Sequence, residues 1–266
     1  AVGAGGPAVA AAVGEPARVG DLTLRYVFPD YTGLPPYEVV NSTGEARAVP
    51  GTRVEVAARA AGQVESAALE AYGETLGATV VDGRGLRGTF DVRVDEGSWR
   101  ILTWEGGSLK ASKEFPIRPI PDLAPEVVLQ SESPVIEVAL DGWVELPWLA
   151  RDDFGVSRVV LEVSGKESRP ALREVGERQA EVAGEIRRRP ADLGLREGQT
   201  YELVVAAWDN DAISGSKVGR SSPVKLVVLG EDGASRVSAR ERAEMLHLLD
   251  RKSTRLNSSH LVTSYA

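Results

Sequence analysis

The chain has 266 residues, a formal net charge of −8, no cysteine and two histidines, His247 and His260. The missing cysteines exclude thiol catalysis, disulfides and cysteine-ligated zinc together, and the negative balance gives no electrostatic case for binding nucleic acid or anionic lipid. With only those two histidines, both near the C-terminal end, a Ser-His-Asp triad or a histidine-bound metal has almost nothing to draw on.

Residues 1–20 are rich in Ala, Gly and Pro, too short and too weakly apolar to span a bilayer, and read as a flexible linker. Leu22, Leu24, Tyr26 and Phe28 then alternate and open a first set of strands over 21–119, expected near 21–28, 52–59, 65–72, 78–82, 87–94, 98–104 and 110–118. Pro29, Gly33, Pro35 and Pro36 force an irregular turn early in that set. Pro116, Pro119, Pro121 and Pro125 predict a stiff, extended connector with a boundary near Ile120. A second set over 120–230 is expected near 126–130, 135–139, 142–150, 156–164, 181–187, 200–208 and 223–229. Its centre is clear: Val144, Leu146, Trp148 and Ala150 alternate, Asp152-Asp153-Phe154-Gly155 reads as an acidic turn, and Val159, Leu161 and Val163 resume. Trp148, Tyr201 and Trp208 are expected core aromatics, and Tyr201 is placed for a tyrosine corner. Ser238 to Glu241 forms a capping box, with Ala239, Ala243, Leu246 and Leu249 at helical spacing, so 231–249 reads as the start of a helix. Asp250 to His260 match, in frame, the translation of a common sequencing adapter, and 250–266 are set aside as non-native. That tail carries Arg251, Lys252 and Arg255 against Asp250, so without it the net charge is −10. The chain then reads as a gene fragment.

The two sets repeat one another. Val64–Gly73 aligns with Val156–Gly165, Ala58-Arg59 with Ala150-Arg151, and Glu96-Gly97 leading to Trp104 with Glu197-Gly198 leading to Trp208. A repeat of about a hundred residues is a domain and not a solenoid unit. Short strands, turn residues and no internal helix predict an all-β fold, two tandem immunoglobulin/fibronectin-like antiparallel β-sandwiches followed by the start of an α-helix.

In that topology Asp152, Asp153, Asp209, Asn210 and Asp211 meet at the end where the second domain begins, with Asp122 in the entering connector. Oxygen ligands in this number suit calcium, which would rigidify the interdomain angle; the first copy keeps the strands and lacks the charges. The competing reading is turn chemistry, because Asp and Asn side chains bond nearby backbone amides. Arg187-Arg188-Arg189 reads as a solvated strand end, with an acidic-ligand site as the minority reading, and Phe154 as a hydrophobic plug.

The run FPDYTGLPP, followed by VPGTRVEVAARA and later by PDLAPEV and ARDDFG, resembles the bacterial family catalogued as domain of unknown function 4175 and its envelope-protein relatives. The resemblance spans roughly 20–245. It implies an N-terminal membrane anchor outside this fragment, extracytoplasmic β-sandwich modules and a long helical region, and it carries no activity. The expected function is therefore non-enzymatic: spacer and protein-interaction modules on the periplasmic or extracytoplasmic face of a bacterial membrane, with other envelope proteins as partners, no nucleic acid and no cofactor apart from that calcium. The alternative is a carbohydrate- or peptidoglycan-binding module, which requires an exposed aromatic row drawn from Trp99, Trp104, Trp143, Trp148 and Trp208. A hydrolase would require a concave pocket with paired carboxylates.

Overall fold

In Arg53–Ala60, Val54, Val56, Ala58 and Ala60 are buried while the residues between them face outward, the period-two pattern of a strand with one wet face. The same pattern recurs along the computed structural model, which describes residues 16–230 and Gly233. Most of the predicted linker, the helix expected over 231–249 and the tail lie outside the described residues. By its contacts the chain divides into two compact units, the first running to Leu123 and including 153–155 and 210–217, the second holding 124–152, 156–209 and the chain from Val218.

The first unit carries β1 (Val19–Val27), β2 (Tyr37–Val39), β3 (Ala46–Ala48), β4 (Arg53–Ala60), β5 (Ser66–Ala71), β6 (Glu74–Val81), β7 (Gly85–Asp91), β8 (Gly97–Glu105), β9 (Ser108–Ala111) and β10 (Phe115–Pro119). They pair in the order β2-β1-β4-β7-β6-β5-β8-β10-β3, with β9 on β8. Strand β6 changes layer: Glu74–Ala78 pair with β5 and Ala78–Val81 with β7. The sheet therefore folds over its own apolar face. Phe90 of β7 and Trp99 of β8, which are not neighbours in the sheet, pack with ring centroids 5.4 Å apart. Leu24, Val54, Leu69, Ile101 and Ile117 fill the space between, each stabilising the fold by about 1.5–3 kcal/mol.

The second unit carries β11 (Glu126–Leu129), β12 (Val135–Ala139), β13 (Val144–Val163), β14 (Ala171–Arg188), β15 (Thr200–Asp209), β16 (Val218–Arg220) and β17 (Val224–Leu229). The order is β11-β13-β15-β17-β12, with β14 on β13 and β16 on β15. Here β13 serves both layers. Its first half pairs with β11 and its second with β15, while β14 follows it throughout. The acidic turn expected at 152–155 is thus a register shift within a continuous strand. The side chains of Leu146, Trp148, Leu161, Leu203 and Leu226 form its core.

The units share details that the sequence repeat did not reveal. A short strand runs parallel to the last one in each, β3 beside β10 and β12 beside β17. Each last strand is interrupted at a serine. Between β9 and β10, Ser112 Oγ accepts the Ile101 N–H at 3.0 Å and donates to Lys113 O at 2.8 Å; between β16 and β17, Ser221 Oγ accepts the Val205 N–H at 3.0 Å and donates to Ser222 O at 3.0 Å. The hydroxyl serves as the partner of a backbone N–H where the strand is interrupted. Ser112→Ala and Ser221→Ala should each orphan a buried N–H and lower stability by about 1–3 kcal/mol, read as a lower urea midpoint at unchanged m-value.

Trp148 is buried, as expected, and Tyr201 forms a tyrosine corner, its hydroxyl accepting the Arg196 N–H at 3.1 Å. Trp208 corrects the sequence reading. It is half-buried on the outer face, with the Arg158 guanidinium 4.2 Å from its ring centroid, because the inward positions of β15 are taken by Leu203, Val205 and Ala207. Pro116 and Pro119 lie inside β10 instead of in a free connector.

Candidate functional site

The six residues singled out as oxygen ligands divide between the units. Asp122, Asp153, Asn210 and Asp211 belong to the first; Asp152 and Asp209 belong to the second, where neither is free. Asp122, Asp209 and Asp211 are buried, whereas Asp153 is exposed.

Within the first unit the segment from Asn210 to Lys217 builds its geometry locally. Asp211 Oδ1 accepts the N–H groups of Ile213 at 2.8 Å and Ser214 at 2.9 Å, the short-range bonding that makes aspartate a turn residue. Its Oδ2 accepts Lys217 Nζ at 2.8 Å, and the same ammonium lies 3.3 Å from Asp122 Oδ2. Both carboxylate side chains are almost fully buried, at 2% exposed for Asp122 and 0% for Asp211. Asn210 Nδ2 donates to Tyr31 O at 2.9 Å and Phe154 O at 3.5 Å, and the Tyr31 and Phe154 rings meet edge to face at 5.8 Å.

The two carboxylates share one ammonium yet shift in opposite directions. Burial pushes the Asp122 carboxyl up, and Lys217 only partly offsets it. Burial also acts on Asp211, but Lys217 and the Ser214 and Ile213 amides outweigh it and bring that carboxyl below its usual value. The difference is the pair of backbone donors. The Tyr31 hydroxyl is driven far above its ordinary range by burial and then by the charges of Asp122 and Asp211.

Among the described residues no group of three or more His, Cys, Asp or Glu side chains is disposed to hold a metal ion. The positive charge between the two buried carboxylates comes from the chain itself, as Lys217. Sequence reasoning passed over that lysine, although it stands six positions after Asp211 in the same loop. Turn chemistry accounts for Asp211. The segment is a polar clasp.

A second feature lies wholly in the second unit. Trp143 is 51% exposed, and the Arg187 and Arg189 guanidinium carbons stand 5.1 and 5.0 Å from its ring centroid. The cross-strand register of Glu145 with Arg187 brings them together. Arg187-Arg188-Arg189 is therefore more than a solvated strand end. The other tryptophans do not extend a row: Trp99 and Trp148 are buried, and Trp104 and Trp208 are half-buried. The glycan alternative thus lacks the platform it required.

Among solved structures the chain is similar to fibronectin(III)-like modules of CbhA from Clostridium thermocellum, at 16% identity over 70% of this chain and 90% of that one, with a TM-score of 0.27. It is also similar to a titin fragment at 9% identity, over 70% of this chain and 95% of that one, again with a TM-score of 0.27. No protein-family model matches the chain, and no curated protein matches it.

Proposed function

We propose that the chain is a non-enzymatic tandem of immunoglobulin-like modules on the extracytoplasmic face of a bacterial membrane, acting as spacer and protein-interaction elements of an anchored envelope protein. The observation that carries this reading is the state of these acids: the buried Asp122 and Asp211 are tied to Lys217, and the buried Asp209 and half-buried Asp152 are engaged. Catalysis by carboxylates needs a group free to exchange a proton with substrate, and these serve the fold. The immunoglobulin-like assignment is supported by the strand layout. In the first unit β1, β4, β7 and the end of β6 make one layer, and β5, β8, β10 and β3 the other, close to the ABED and CFG sheets of that fold. The envelope assignment is supported by the FPDYTGLPP and ARDDFG resemblance alone.

The absence of cysteine supplies the test. Ser108→Cys and Ser168→Cys, both at exposed positions, each introduce a single thiol. Cells with an opened outer membrane but an intact inner one should be labelled by a membrane-impermeant maleimide. Labelling only after lysis would overturn the location.

A further inference from the structure

We infer that Lys217 condenses with Asp122 to form an amide, a covalent cross-link inside the first unit that fastens the 210–217 loop to the chain ahead of Leu123. The inference goes beyond the reading above and does not depend on it. Three groups with the required chemistry meet at this point. Lys217 Nζ lies 3.3 Å from Asp122 Oδ2 and 2.8 Å from Asp211 Oδ2, so one amine stands between two carboxyl groups. Holding an amine this close to a carboxyl removes much of the entropic cost of joining them.

The two acids are not equivalent, and their surroundings divide the roles. Asp211 Oδ1 accepts the Ile213 and Ser214 amides, which favours its anion and makes it the proton acceptor. Neither oxygen of Asp122 has a hydrogen-bond partner among the described residues. Burial holds that carboxyl toward its protonated form despite Lys217, and the protonated form is the one an amine attacks.

The step balances, and nothing is oxidised or reduced. Asp211 Oδ2 takes a proton from the ammonium, and the bond from Nζ to Asp122 Cγ forms. The bond from that carbon to its hydroxyl oxygen breaks, and a second amine proton leaves with the hydroxyl as water. The Tyr31 hydroxyl is buried within reach of the Asp122 charge and keeps its proton, so it is a donor for the tetrahedral oxygen. The Lys217 side chain is 29% exposed, which leaves the water a way out. The product exchanges a buried ion pair, whose charges are costly to desolvate, for a neutral amide. The ion pair is the reactant, so the chain behaves as an ion-paired one until the bond forms.

The test is the mass of the full chain under denaturing conditions, after incubation at neutral pH, followed by peptide mapping. The chain should be lighter than its sequence by one water. Trypsin should leave Lys217 uncut, in a branched peptide that joins it to the Asp122 segment. Lys217→Arg keeps the cation but removes the amine, so it should retain its full mass. Asp211→Asn still offers an oxygen to both backbone amides but loses the base, so linkage should slow about a hundredfold or more. Melting curves confirm that both variants are folded, and the parent mass decides even where a variant is not. A parent chain at full mass overturns the inference. So does a bond from Lys217 to Asp211, a lost water that maps to a succinimide at Asp82-Gly83 or Asp141-Gly142, or linkage in Asp211→Asn as fast as in the parent.

Discussion

Trp99→Ala should lower the stability of the first unit by about 3–5 kcal/mol, the range for removing a large buried aromatic. Trp99 is 1% exposed, packs 4.7 Å from the Phe115 ring and 5.4 Å from Phe90, and donates from Nε1 to Gly44 O at 2.8 Å. Truncation thus opens a cavity between the two layers and orphans a buried carbonyl. Gly44 itself lies against the Phe115 ring. That glycine sits at φ +96°, and a Cβ there would lie 1.9 Å from the Phe115 ring. Trp99→Phe separates the two contributions, because it keeps most of the packing and loses only the hydrogen bond, at about 1–2 kcal/mol. Urea unfolding followed by far-ultraviolet circular dichroism reads both. A loss below about 1 kcal/mol for the alanine variant would show that the ring is not a keystone of that core.

The strands that sequence reading located are those whose inward face is continuous. Leu22, Leu24 and Tyr26 mark β1, Val54 to Ala60 mark β4, and Val135–Ala139 falls where β12 lies. Strands β2 and β3 have three residues each, fewer than alternation needs to declare itself. The Asp152–Gly155 stretch carries turn residues, yet the backbone absorbs them as a shift in register, since β14 continues to pair on both sides of it. The stretch 171–180 gave no signal, because Arg173, Glu174 and Arg178 line an exposed edge where charge deters edge-to-edge pairing. At the candidate sites the residue types were legible and their partners were not. Asp122 and Asp211 announce themselves as acids, but only the folded loop brings Lys217 between them. Likewise Trp143 and the arginine run looked unrelated until the β13–β14 register joined them.

Lys217→Met should be as costly as the tryptophan truncation, at about 3–5 kcal/mol near neutral pH, because it leaves two buried carboxylates without their cation. The double replacement Asp122→Asn/Asp211→Asn in the Lys217→Met background should recover most of that loss. Amides carry no charge to desolvate, and the side-chain carbonyl that remains at position 211 can still accept the Ile213 and Ser214 amides. The pH dependence has a definite sign. Asp211, held below its unfolded value, contributes stability that is present above the ordinary carboxyl range and is lost as pH falls through its own lower value. Asp122, held above its unfolded value, acts in reverse, so protonating it favours the folded state. Losing Lys217 removes the charge that lowers both, so both carboxyls move upward and take up protons at higher pH. The deficit of Lys217→Met relative to the parent chain should therefore be largest at about pH 7–8 and shrink steadily toward about pH 4, measured as the difference in urea midpoints. A deficit constant across that range would mean that Lys217 acts through its aliphatic stem and not through its charge.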